Sequence, residues 1–80
     1  MTIYVVRKHY RLILQNGTDV ELNDICNICE DLEIAKSTFE YQKPVIHNEF
    51  VVTQAKSITL SLEYHDIKTG EIHIVKEYLI

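Results

Sequence analysis

Two thiols three residues apart, in Cys26-Asn27-Ile28-Cys29, are the side chains whose type and spacing most invite a chemical reading. At a helix N-terminus such a pair lowers a thiol pKa and supports disulfide exchange, and the same spacing supplies half of many zinc sites. A redox pair normally follows a core strand in a βαβ unit, whereas Cys26 is expected in the first turns of a helix after a turn-rich segment. Zinc needs two further ligands that converge. The imidazoles available are His9, His47, His65 and His73. His65 and His73 are expected to pair across strands on the sheet face away from the helix, so a site joining them to Cys26 and Cys29 would need the layers inverted. The expectation is therefore packing, with Cys29 in the core and Cys26 beside it, as small hydrophobes. The His65 and His73 pair keeps a separate reading, as a metal site at a symmetric contact between two chains or as a pH-sensitive patch, against that of ordinary surface histidines.

Charge is unevenly placed. Arg7-Lys8-His9-Tyr10-Arg11 combines cations with an aromatic ring, the ingredients for phosphate contact and base stacking on a sheet. Strand geometry divides the set, because Arg7, His9 and Arg11 project from one face while Lys8 and Tyr10 project from the other. Downstream, Asp19, Glu21, Asp24, Glu30, Asp31, Glu33 and Glu40 form a middle segment with Lys36 as its only cation. If Asp24, Asn27, Glu30, Asp31 and Glu33 share the outer face of a helix, they present a row of carboxylates that imitates phosphates and fits a basic groove on another protein.

Catalytic signatures are missing from the chain. It has no G-x-S-x-G, no H-E-x-x-H and no glycine-rich phosphate loop, and two glycines leave few places where backbone could wrap a phosphate. No enzyme activity and no cofactor are expected.

The elements that position these residues are best defined in Lys56 to Ile80. Apolar residues alternate there as Ile58, Leu60, Leu62 and Tyr64, then Ile72, Ile74, Tyr78 and Ile80, the pattern of a β-hairpin with one buried face. A three-residue loop of Lys68, Thr69 and Gly70 sets His65 opposite His73 and Tyr64 opposite Ile74, with only Lys76 interrupting the apolar face. Ile3 to Leu14 reads as a long strand in which Lys8 falls out of pattern, as a bulge near Arg7 to His9 would explain. Asn16-Gly17 marks a turn, in a loop longer than two residues, and Thr18 to Leu22 reads either as a short strand or as an early start to the helix. Ile25, Ile28, Cys29, Leu32 and Ala35 have the spacing of one helical face, with Asn23 as N-cap and an end near Lys36. Pro44 then argues for extended chain, and Phe50 to Thr53 for another strand. The expected fold is one α+β domain over residues 1–80, an antiparallel sheet of four or five strands with one amphipathic helix packed on one face.

Eighty residues sit near the size at which one core only just outweighs chain entropy, so association with another chain, or as a homodimer, is a reasonable expectation. A net charge of -4 disfavours general affinity for nucleic acid. No apolar run approaches the roughly 20 residues of a membrane span, and the N-terminus lacks the order of a secretory signal, so a cytoplasmic protein is expected. Richness in Ile, Asn, Lys, Glu and Tyr suggests an AT-rich genome, and a compact acidic domain of this size is similar in general character to small phage-encoded regulators. That similarity is one of composition and size and carries no residue roles. The leading expectation is a non-enzymatic inhibitor that covers a surface of a larger host protein with its acidic helix or a sheet edge. The alternatives are a nucleic-acid-binding regulator using Arg7, Lys8, Tyr10 and Arg11, and a metal-binding module built on Cys26 and Cys29.

Overall fold

A computed structural model describes residues 2–80. Four strands and one helix follow in the order β1 (Thr2–Ile13), β2 (Asp19–Cys29), α1 (Leu32–Thr53), β3 (Ser57–Asp66) and β4 (Ile72–Leu79). The strands form one antiparallel sheet in the order β2-β1-β3-β4, and α1 crosses one face of it. The expected α+β architecture is therefore present, while the helix occupies a largely different stretch of chain.

β1 is unbroken against β3, from Thr2 opposite Asp66 to Arg11 opposite Ser57. Against β2 its register shifts between Val6 and Arg7, which face Asn27 and Ile25, so the extra residue is Cys26 in β2 and not a residue of β1. The β1–β2 connection is a loop longer than two residues, closed by Leu14 N–H donating to Thr18 O at 2.9 Å, with Gly17 at φ +84°. This pairs Tyr10 with Leu22 and Leu12 with Val20, apolar against apolar.

At the β3–β4 connection the three-residue loop gives way to one of four residues, Ile67 to Gly70. Asp66 bonds Glu71 O through its N–H, its carboxylate accepts the N–H groups of Lys68 and Thr69, and Gly70 takes φ +78°. Register is thereby displaced by one residue near the turn, setting Tyr64 opposite His73 and Glu63 opposite Ile74. An extra residue at Val75 then restores the expected pairing from Leu62 opposite Lys76 onward. Lys76 does interrupt the helix-facing side, and its ammonium reaches Glu40 at 3.9 Å.

Of the helix expected from Asn23 to Lys36 only Leu32 to Lys36 is helical, as the start of α1; residues 19–29 are strand. α1 begins at Asp31, whose carboxylate accepts the N–H groups of Glu33 and Ile34, and ends at Gln54 in the left-handed region. It runs through Pro44 and includes Phe50 to Thr53, expected to be a strand. Proline lacks an N–H, so the carbonyl of Glu40 loses its partner one turn on, a defect tolerated here because Pro44 is exposed. Ala35, Phe39 and Ile46 lie on one side of the helix and pack on Val6, Ile58, Leu60 and Leu62 to make the core. Tyr10, Cys26, Cys29, Phe50 and Tyr78 border it.

Candidate functional site

Register assigns every strand residue to a face. Tyr4, Val6, Lys8, Tyr10 and Leu12 of β1 look toward α1, with Ile58, Leu60 and Leu62 of β3 beside them. The other face carries Val5, Arg7, His9 and Arg11, with Thr59, Ser61 and Glu63 on β3, Ile25 and Ile28 on β2, and Ile72, Ile74, Glu77 and Leu79 on β4. No element among the described residues covers this second face.

Three residues at its centre are nonetheless largely screened by their neighbours. Val5, Ser61 and Glu63 are 3%, 7% and 7% exposed, values that belong to an interior. The Glu63 carboxylate accepts from Arg7 Nε at 2.9 Å and Arg7 Nη2 at 3.4 Å, from Ser61 Oγ at 3.2 Å, and pairs with His65 Nε2 at 2.8 Å. Burial alone would raise its pKa, but the Arg7, His65 and Ser61 bonds and the Arg7 charge outweigh that and hold it below the usual carboxylate range. Around this centre lie Ile25, Ile28, Ile72, Ile74 and Leu79, between 48% and 67% exposed. The short side chains of Thr59 and Ser61 floor an open trough of about 380 Å³, walled by Arg7 and His9 on one side and Ile74 and Leu79 on the other.

A second carboxylate network ties the helix to the sheet. Glu49 accepts from Lys8 Nζ at 2.8 Å and from Tyr10 Oη at 2.7 Å. Burial pushes Tyr10 up to about 12, with the bond to Glu49 adding to it. Burial would lower Lys8, yet the Glu49 bond and the nearby Cys26 and Tyr10 hold it above the ordinary lysine value. Lys8 is thus no misfit in β1 but a helix-facing cation with a built partner.

The sequence-derived candidates are dispersed. Lys8 and Tyr10 face the helix, while Arg7 and Arg11 lie on the open face, paired with Glu63 and with Asp19 at 3.4 Å. Asp24 and Asn27 are in β2, Glu30 lies between elements, Asp31 is the cap and Glu33 opens α1, so these five share no helix face. Asp24, Glu30, Asp31 and Glu33 are exposed, and Asn27 donates to Thr38 Oγ1 at 3.2 Å. Cys26 and Cys29 stand three residues apart on a strand, a span of roughly 10 Å, too long for a disulfide. Burial raises the Cys26 thiol, against the opposing charge of Lys8. His65 and His73 do not face each other, since His65 sits opposite Ile72 and bonds Glu63, while His73 sits opposite Tyr64. Among the described residues no three His, Cys, Asp or Glu side chains are grouped to hold a metal ion.

Sequence reasoning missed the role of Glu63 and of Glu49. For Glu63 the available signal was its place one strand over from Arg7, in a hairpin whose alternation was already clear. No family model, characterised protein or solved structure matches the chain. No helix among the described residues is long and apolar enough to cross a membrane.

Proposed function

We propose that the chain is a non-enzymatic, protein-binding regulator of the cytoplasm whose working surface is the open face of its sheet. One observation carries this reading: Glu63 on that face has its acceptor sites occupied by Arg7, Ser61 and His65, inside a border of exposed isoleucine and leucine. The Glu63 charge, already matched, can be covered by a partner without stranding an ion, which is the usual obstacle to burying a polar patch. Both outer strands argue against the sheet edge as the contact. β2 carries a bulge at Cys26 and the charges Asp19, Glu21 and Asp24, and β4 a bulge at Val75 and Lys76, features that blunt strand addition. A regulator of this size acts by occupying its partner's surface, and the inhibitor reading, including a phage or mobile-element origin, belongs to the same proposal.

Affinity capture with the tagged chain from lysate of its source tests this. Ile74→Glu with Leu79→Glu is expected to lose the bound protein, while Val51→Glu, on the exposed end of α1, retains it. Capture unaffected by the paired glutamates removes the reading.

The exposed carboxylates Asp24, Glu30 and Glu33 support a second contact, electrostatic and directed at a basic surface of a larger protein. Changing these three to Lys, with Asp31 kept as the cap, should abolish the salt-sensitive part of binding. Equal affinity in that variant at low salt would discard it.

A further inference from the structure

The open face has a layout that fits one partner in particular, and we propose that this partner is a second copy of the chain, packed sheet against sheet about a two-fold axis. The inference rests on reading that face as a protein-contact surface and names its occupant.

Three features of the face carry it. Across the sheet the side chains run mainly apolar, polar, apolar: Ile25 and Ile28 at one end of β2, a central stripe around Arg7 and Glu63 on β1 and β3, then Ile74 and Leu79 on β4 with Glu77 between them. That order is symmetric about the midline between β1 and β3. A two-fold axis lying between the sheets, whether along or across the strands, brings apolar flank onto apolar flank and stripe onto stripe. Contacts between identical patches require such self-complementarity, and a partner of different sequence does not. Charge meets the same condition in part, because Arg7 is paired with Glu63, Arg11 with Asp19 and His9 lies 3.9 Å from Glu21, while Glu77 on β4 has no ion pair among the described residues. An unbalanced patch would repel its own copy, and here the Arg7 and Glu63 charges cancel within the stripe, leaving Glu77 as the carboxylate that the contact must keep at its margin.

Area is sufficient. In plan the molecule measures 44 × 25 Å, roughly 1,100 Å², against the about 800 Å² that each partner gives to a standard interface. The trough over Thr59 and Ser61 offers a seat for side chains of the opposite sheet, and aligned packing of two sheets interdigitates such rows at about 10 Å separation. In this dimer α1 and the exposed Asp24, Glu30 and Glu33 lie outside the contact, so two sets of carboxylates remain available to a larger partner.

Sedimentation equilibrium of the full chain from low micromolar to about 200 µM tests the proposal, since an interface of standard size is expected to hold the pair together across most of that range. The expected result is a mass of twice 9.4 kDa for the native chain and 9.4 kDa for Ile74→Glu and, on the opposite flank, for Ile25→Glu. Circular dichroism and thermal unfolding establish that each variant is a folded monomer, and Leu79→Glu replaces either one that is not. A native chain that stays at 9.4 kDa throughout overturns self-pairing. It leaves the contact-surface reading to stand or fall separately, on whether the Ile74→Glu, Leu79→Glu chain loses its captured protein. A native dimer that persists in the flank variants but dissociates with Val51→Glu also overturns the proposal, by placing the interface on the helix side.

Discussion

The two faces of the sheet are built around the same device and differ in what lies over it. On the covered face Glu49 of α1 reaches down to Lys8 and Tyr10, and on the open face Glu63 reaches sideways to Arg7, Ser61 and His65. Both carboxylates are held below the usual range although burial opposes it. The first network has a hydrophobic core beside it, made by Phe39, Ile46, Ile58, Leu60 and Leu62. The second has only a border of half-exposed aliphatic side chains. An ion pair with its carboxylate largely shielded, and no layer above it among the described residues, is the feature on which the proposed contact rests.

The sharpest way to break this comparison is to delete the same kind of side chain from each face. Phe39→Ala, removing a ring that is 2% exposed, should lower unfolding stability in urea by about 3–5 kcal/mol. Ile74→Ala, from a residue 52% exposed, should change it by no more than about 0.5 kcal/mol at protein concentrations dilute enough to separate the proposed copies. Comparable losses would mean that the open face already functions as an interior.

Next in size are the two glutamates. Glu49→Gln leaves Lys8 facing the core without its counter-charge and should destabilise by about 1.5–3 kcal/mol. Glu63→Gln should lose roughly 1 kcal/mol, because the Arg7 side chain, 30% exposed, can turn to water. The difference should close with pH. Both carboxylates have folded pKa values below the unfolded value, so their stabilisation is present above about pH 4.3 and is lost as pH falls through the folded values. At the other extreme Lys8 and Tyr10 are raised in the folded chain, Tyr10 to about 12. Their contribution is complete below the unfolded values near 10 and fades as pH climbs through the folded ones. Thermal unfolding followed across pH should fall at both ends in the native chain, and Glu49→Gln should make the alkaline limb shallower, keeping the part that burial of Tyr10 supplies, while Glu63→Gln leaves it unchanged. Asp31→Ala, which removes the cap of α1 and touches neither network, should cost about 1 kcal/mol in the same urea measurement.

How much of this was legible in the chain depends on where the extra residues fall. β3 and the long strand β1 were clear because alternation is unbroken there, and Lys8 looked like an irregularity only because Glu49 was out of sight. Much of β2 reads as helix for a physical reason: the bulge at Cys26 interrupts alternation and leaves Ile25 and Ile28, both on the open face, at a spacing of three. With Cys29, Leu32 and Ala35 following, that spacing imitates a helical face across what is a strand, a turn and a helix start. The real helix carried its own signal in Ala35, Phe39, Ile46 and Phe50, obscured by β-branched and aromatic neighbours and by taking Pro44 as an end. Val75 caused the corresponding slip of one residue at the tip of the last hairpin. The candidate contact face was therefore hidden by two bulges, although each of its residues was in plain view.

Pro44 has a dynamic corollary. A helix of 22 residues missing a rung near its middle is weakest there, with a half on either side. The first is clamped at Asp31 and by Phe39, and the second by Ile46 and by the grip of Glu49 on β1. Amide protons flanking the break should trade with deuterium sooner than those at the centre of either half.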